Sequence, residues 1–186
     1  MARINGVYKA GDHPNKTDEP TKSDLNELFG YLFPHSPSSE IDRKHGGFAI
    51  VAVNPRLALL LVQLNNYIVS QMPWTSQRRG LRELAVQTLN LHFKCEYSFR
   101  SHIEPSLANG ISVELLAALP YWRTTELFDD EQKLVIEYTL AVITGDVPDE
   151  LFSRVVKQYG EKETVECTTG IAWWSLWAMI INATRP

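Results

Sequence analysis

Apolar residues recur along most of this chain at intervals of three and four, the period that lays one stripe along an α-helix. After Asn54-Pro55, an N-cap followed by proline at the first helical position, Leu57, Leu60, Leu61, Leu64 and Ile68 keep that spacing to about Met72, and Pro73 ends it. Ser76 stands where it can cap the next helix, whose apolar face is Leu81, Leu84, Ala85 and Leu89. A further helix is predicted from about Cys95 to Asn109, stopped by Gly110. Ser112 opens a short helix to Leu119, closed by Pro120. Asp129 caps one that holds Leu134, Val135, Tyr138 and Val142 and ends at Gly145. Asp146 and Pro148 start a short helix that reaches Gly160, and the last helix covers about Glu163 to Asn182. Phe48 to Val53 fits a strand or a helix, and no other stretch alternates convincingly. The pattern predicts an all-α fold, a bundle of six or more helices with short links.

Two regions depart from the amphipathic pattern. Residues 1–47 are polar and broken by Pro14, Pro20, Pro34, Pro37 and Gly46-Gly47, with one helical stripe at Leu25, Leu28, Phe29 and Leu32. They read as an N-terminal arm or lid on a helical domain of residues 48–186. The final helix is apolar almost all round, through Ile171, Trp173, Trp174, Leu176, Trp177, Met179 and Ile181. A helix without a polar face needs cover on every side. A subunit interface would supply it, so a homo-oligomer is expected; the alternative is a central helix of a monomer.

Composition removes several classes of function. Eighteen basic and 22 acidic residues give a net charge of −4, with no cationic stripe to neutralise phosphates, which argues against nucleic acid and anionic membranes. Two cysteines, Cys95 and Cys167, make no disulfide framework. The start, Met1 to Gly6, lacks the apolar core of a signal peptide, and no stretch is long and apolar enough to span a bilayer. A cytoplasmic protein is expected.

Candidate chemistry gathers between residues 79 and 102. Cys95 and Ser98 are expected in the first turn of their helix, where unsatisfied N–H groups favour negative charge and can lower a thiol pKa or bind an oxyanion. His102 lies one turn further on and is the side chain best suited to move protons near neutral pH. Glu83 could orient that imidazole or act as a second acid/base, with Arg79 one turn before it as a salt-bridge partner. The histidines at 13, 35, 45, 92 and 102 show no ligand spacing, so no metal or other cofactor is implied.

The run Glu83, eleven residues, Cys95, two residues, Ser98, three residues, His102 resembles the signature of the alkylhydroperoxidase D-like and carboxymuconolactone decarboxylase superfamily, which has a second cysteine where Ser98 stands. The Asn54-Pro55 helix, the Arg82-Glu83 pair, the Gly110-Ile111-Ser112 turn with Glu114, and Asn182-Ala183 extend the resemblance over residues 54–183. It implies an all-helical fold that forms trimers or hexamers, or a dimer, with the active site close to a subunit interface. A serine cannot enter a disulfide cycle. The chain is therefore more similar to the decarboxylase-like branch, which acts on carboxylated products of aromatic-ring cleavage, although a Glu is common there at the position of Ser98.

The expected function is a cofactor-independent lyase or isomerase working by proton transfer on a small unsaturated carboxylic acid or lactone from aromatic-compound catabolism. His102 would carry the proton, with Glu83 and Cys95 beside it; Ser98 would bind the oxyanion or carboxylate. Arg79, Arg82 and Arg100 are candidate carboxylate clamps, since a guanidinium fork matches a carboxylate. The rivals are a thiol-dependent peroxidase using Cys95 and a non-catalytic binding protein of the same fold.

Overall fold

A computed structural model describes residues 3–36 and 39–186; Met1, Ala2, Pro37 and Ser38 of the expected arm lie outside the described residues. Among the described residues the regular structure is entirely helical, with no strand. The α-helices are α1 (Thr21–Leu32), α2 (Gly46–Val51), α3 (Pro55–Ser70), α4 (Pro73–Gln77), α5 (Arg79–His92), α6 (Glu96–Ser101), α7 (Ile103–Ala108), α8 (Val113–Ala118), α9 (Asp130–Thr144) and α10 (Asp149–Thr184). The all-α class read from the periodicity is what the chain adopts, and none of these helices is long and apolar enough to cross a membrane.

The chain forms two compact units. The first takes residues 1–67 with 180–186, and the second residues 68–179. In the first, α1 buries Leu25, Leu28 and Phe29, three positions on one helical face. The ambiguous stretch from Phe48 to Val53 is helical as far as Val51, in α2, and turns at Ala52 and Val53, and Val7 donates its N–H to the Ala49 carbonyl. Segment 1–47, expected as an arm, thus shares a unit that continues to Tyr67. Asn54 caps α3 as the sequence indicated, its side chain accepting from the Leu57 N–H at 3.1 Å.

The second unit is built around α5, which packs chiefly against α9. Every residue from Glu83 to Asn90 is buried, so α5 is covered on all sides over two turns. Ala85 joins a cluster with Trp74, Val135, Tyr138, Val155, Cys167 and Ile171, while Leu84 joins a second with Ile111, Leu116, Trp122 and Ile136. Gly80 lets the start of α5 approach the end of α7, because a Cβ there would stand 2.7 Å from the Asn109 carbonyl oxygen. Asp129 caps α9 in a reciprocal box with Gln132. Gly160, at φ 77° and ψ 166°, divides α10 into two rods close to where the sequence divided them.

Two local expectations are corrected. Ser76 does not cap α5: it lies inside α4, its hydroxyl donates to the Met72 carbonyl, and Arg78 occupies the cap position without a side-chain bond. The helix foreseen from Cys95 to Asn109 breaks at His102 into α6 and α7. Pro105 is the cause, since it has no N–H for the Ser101 carbonyl and its ring crowds the preceding turn. Along the last helix Ile171, Trp173, Trp174, Trp177 and Ile181 are buried, with Trp173 and Trp177 packed edge to face at 5.6 Å, while Met179 is 54% exposed.

Candidate functional site

Glu83 is 2% exposed, and a carboxylate so far from water is stable only when paired and hydrogen-bonded. Each of its oxygens has a partner. Oε1 accepts from Arg82 Nη2 at 2.8 Å and Nε at 3.1 Å, while Oε2 lies 2.8 Å from His102 Nδ1. Arg82 gives its remaining Nη1 to the Thr75 carbonyl at 3.3 Å, which fixes the guanidinium from a third side. Burial alone would raise the Glu83 pKa. The hydrogen bond and charge of His102, then those of Arg82, outweigh it and hold the carboxyl below its ordinary value.

An ionised carboxylate only accepts hydrogen bonds, so the imidazole meets Oε2 with a proton on Nδ1. In the neutral ring Nε2 is then the bare, basic nitrogen. The His102 side chain is 26% exposed, which leaves the imidazole reachable from solvent while its anchor is not.

The break in the helix is what delivers the imidazole to Glu83. His102 sits between α6 and α7 at φ −95° and ψ 0°, a sparsely populated backbone region common among active-site residues. Ser106, one turn later, holds it from below: its N–H and its hydroxyl both donate to the His102 carbonyl, at 3.0 and 2.6 Å. Gln87, one turn after Glu83 and fully buried, donates to the Phe99 carbonyl at 3.1 Å and to the Ser106 hydroxyl at 3.4 Å. Neither Gln87 nor Ser106 stood out in the sequence. The available signal was their spacing, each four residues beyond a member of the pair it supports.

The other foreseen residues are distributed differently. Cys95 occupies the N-cap position of α6 with its side chain buried, and it makes no side-chain capping hydrogen bond. Burial pushes that thiol above its ordinary pKa, outweighing the opposite influence of the Ser98 backbone N–H. Ser98 is buried too, and its carbonyl accepts from the Ser101 hydroxyl and the His102 N–H. Cys167 belongs to the core beside Trp74, and both cysteines are free thiols.

Arg82 is engaged with Glu83, whereas the pairing foreseen between Arg79 and Glu83 is replaced: Arg79 is exposed and its Nε donates to the Ser76 carbonyl. Arg79 lines a surface cleft of about 310 Å³ with Arg78, Gly110, Asp129 and Glu131. Arg100 pairs with Glu96 on the exposed side of α6. Among the described residues no group of three or more His, Cys, Asp or Glu side chains comes together to hold a metal ion.

Comparison of the chain with protein-family models, with curated proteins and with solved structures gives no match. The chemistry of the site therefore rests on its own geometry. An imidazole tied through one nitrogen to a buried, charge-anchored carboxylate, on a side chain that is 26% exposed, is arranged to take up and return a proton.

Proposed function

We propose that this chain is a cofactor-independent enzyme of the carboxymuconolactone decarboxylase-like kind. It transfers a proton on a small unsaturated carboxylic acid or lactone of the sort aromatic-ring cleavage produces. The supporting observation is the 2.8 Å contact between Glu83 and His102 across elements nineteen residues apart, at the spacing that suggested the resemblance. In decarboxylation the carbon–carboxylate bond breaks, carbon dioxide leaves and the electron pair enters the conjugated system as an enolate; His102, first protonated on Nε2 by solvent, then delivers that proton to carbon. In isomerisation His102 protonates and deprotonates the same conjugated system, and the double bond moves or rotates between the two steps. Glu83 stabilises the imidazolium in both cases.

Arg79 remains the candidate for the substrate carboxylate, because Arg82 is held by Glu83 and Arg100 by Glu96. The N–H groups that open α6 remain candidates for the oxyanion. The thiol-dependent alternative finds no comparable support, since Cys95 is sealed from solvent and its pKa is raised. The enzyme is proposed to work in the cytoplasm as a homo-oligomer.

The test is turnover of a panel of unsaturated lactone acids and ring-opened dienoates, followed by carbon dioxide release and by ultraviolet absorbance. The wild type is expected to turn over a member of the panel, and His102→Ala to lower kcat by roughly 10²–10⁴-fold with an unchanged circular dichroism spectrum. Undiminished turnover in that variant, or no turnover by the wild type across the panel, would overturn the proposal.

A further inference from the structure

We infer that Glu166 is a positioning residue for the Glu83–His102 pair: from α10 it sets the place of α4, and α4, through Thr75, sets the guanidinium that anchors Glu83. Its value to catalysis rests on the proton-transfer reading of that pair. α4 has five residues, too few to hold a helix by its own hydrogen bonds. Its start also lacks local support. Pro73 brings no N–H, Met72 offers no side-chain cap, and the N–H of fully buried Trp74 is left without a local acceptor. Glu166 supplies one from 92 residues away, accepting that N–H on Oε2 at 3.0 Å. Glu166 is 9% exposed, and its Oε1 stands 3.9 Å from the exposed Lys162, too far for a hydrogen bond. Enclosing a carboxylate is costly unless it is hydrogen-bonded, and the bond it makes is to α4.

The same face of α10 grips α4 at two further points. Glu163, three residues earlier, pairs with Arg78 at 2.6 Å just past the end of α4, and the Arg78 guanidinium lies over the Tyr159 ring at 5.1 Å. Gly170, four residues after Glu166, stands so close that a Cβ there would be 3.2 Å from Thr75 Cγ2. Positions 163, 166 and 170 follow the Gly160 kink at helical spacing, so one rod meets the start, middle and end of α4. Thr75 carries this to the site. It is fully buried, its hydroxyl donates to the Ile68 and Met72 carbonyls, and its own carbonyl accepts from Arg82 Nη1 at 3.3 Å. A displacement of α4 therefore moves the acceptor that orients Arg82. Arg82 in turn holds Oε1 of Glu83, whose Oε2 meets His102. Glu166 acts through these contacts, by keeping the support of the pair in place.

The ¹⁵N shifts of the His102 imidazole test this without any substrate. Glu166→Ala is expected to weaken the preference for a proton on Nδ1, and Glu166→Gln, which keeps an oxygen for the Trp74 N–H, to restore it. Glu166→Asp keeps an acceptor but draws it back by one methylene. It is expected to show the alanine change in smaller degree, so the test survives an alanine variant that does not fold. Leu151→Ala, which truncates the core in the first rod of α10, is expected to lower Tm and leave the shifts as they are. With a substrate in hand, Glu166→Ala is expected to lower kcat by roughly 10–100-fold at an unchanged KM, and Glu166→Gln to stay within about two-fold of the wild type. Wild-type shifts in both Glu166→Ala and Glu166→Asp, an equal change in Leu151→Ala, or no rescue by Glu166→Gln would each overturn the inference. A wild type that turns over no substrate, with the shifts still following Glu166, would overturn the proton-transfer reading and leave Glu166 as the residue that positions the pair.

Discussion

Arg82–Glu83 and Arg100–Glu96 are both acid–arginine pairs drawn from one short stretch of the chain. The side chains of the first are 12 and 2% exposed, and those of the second 73 and 74%. Water screens the exposed pair, so its attraction hardly exceeds the entropy lost in holding two long side chains together. The buried pair has no such screen. There the guanidinium is the counter-charge that lets a carboxylate exist inside the second unit, and the carboxylate in turn fixes one nitrogen of an imidazole. Chemically similar pairs thus become a surface ornament in one place and the frame of a site in another, and burial makes the difference.

The comparison is broken most forcefully by removing the buried acid. Glu83→Ala leaves Arg82 nearly enclosed without its anion and is expected to lower the unfolding free energy by about 3–5 kcal/mol. Urea denaturation measures it, and a loss comparable to that of an exposed pair would mean that the buried pair organises nothing. Acidification probes the same carboxylate. Its folded pKa lies below the ordinary value of 4.5, so the stability it contributes is complete above that pH and is lost as pH falls through the folded value. Unfolding free energy is therefore expected to decline more steeply below about pH 4.5 in the wild type than in Glu83→Gln. Equal slopes would show that the carboxyl is not held in its charged form.

Smaller effects sharpen the contrast. Ser106→Ala removes the hydroxyl under the His102 carbonyl and takes a partner from Gln87, for an expected loss of about 1–2 kcal/mol with turnover reduced further than stability alone explains. Activity at full parental level would show that the backbone break needs no such support. Arg100→Ala should change stability by at most about 0.5 kcal/mol and leave KM unaltered. A rise in KM would restore Arg100 as a substrate clamp.

Much of this architecture was legible in the apolar periodicity, because the stripe of α1, the Asn54-Pro55 start of α3 and the Asp129 cap of α9 are local signals that packing does not override. The meeting of Glu83 and His102 was legible only as a spacing. What stayed hidden depended on tertiary context. Cys95 to Asn109 read as one helix because a single proline competes poorly with an otherwise helical pattern, yet Pro105 breaks it just where the imidazole must turn. Arg79 and Arg82 both lie one helical step or less from Glu83, and only the fold decides which reaches it. Gln87 and Ser106 each lie four residues beyond a member of the Glu83–His102 pair, and that spacing was the trace of the buried network that holds α5 to α6 and α7.

The most direct test of the central claim is the tautomer of His102, read from its imidazole ¹⁵N shifts at a pH where the ring is neutral. The account predicts a proton on Nδ1, bonded to Glu83, and a bare Nε2, with the preference lost in Glu83→Ala. A proton on Nε2 in the wild type, or shifts that ignore the substitution at Glu83, would contradict it.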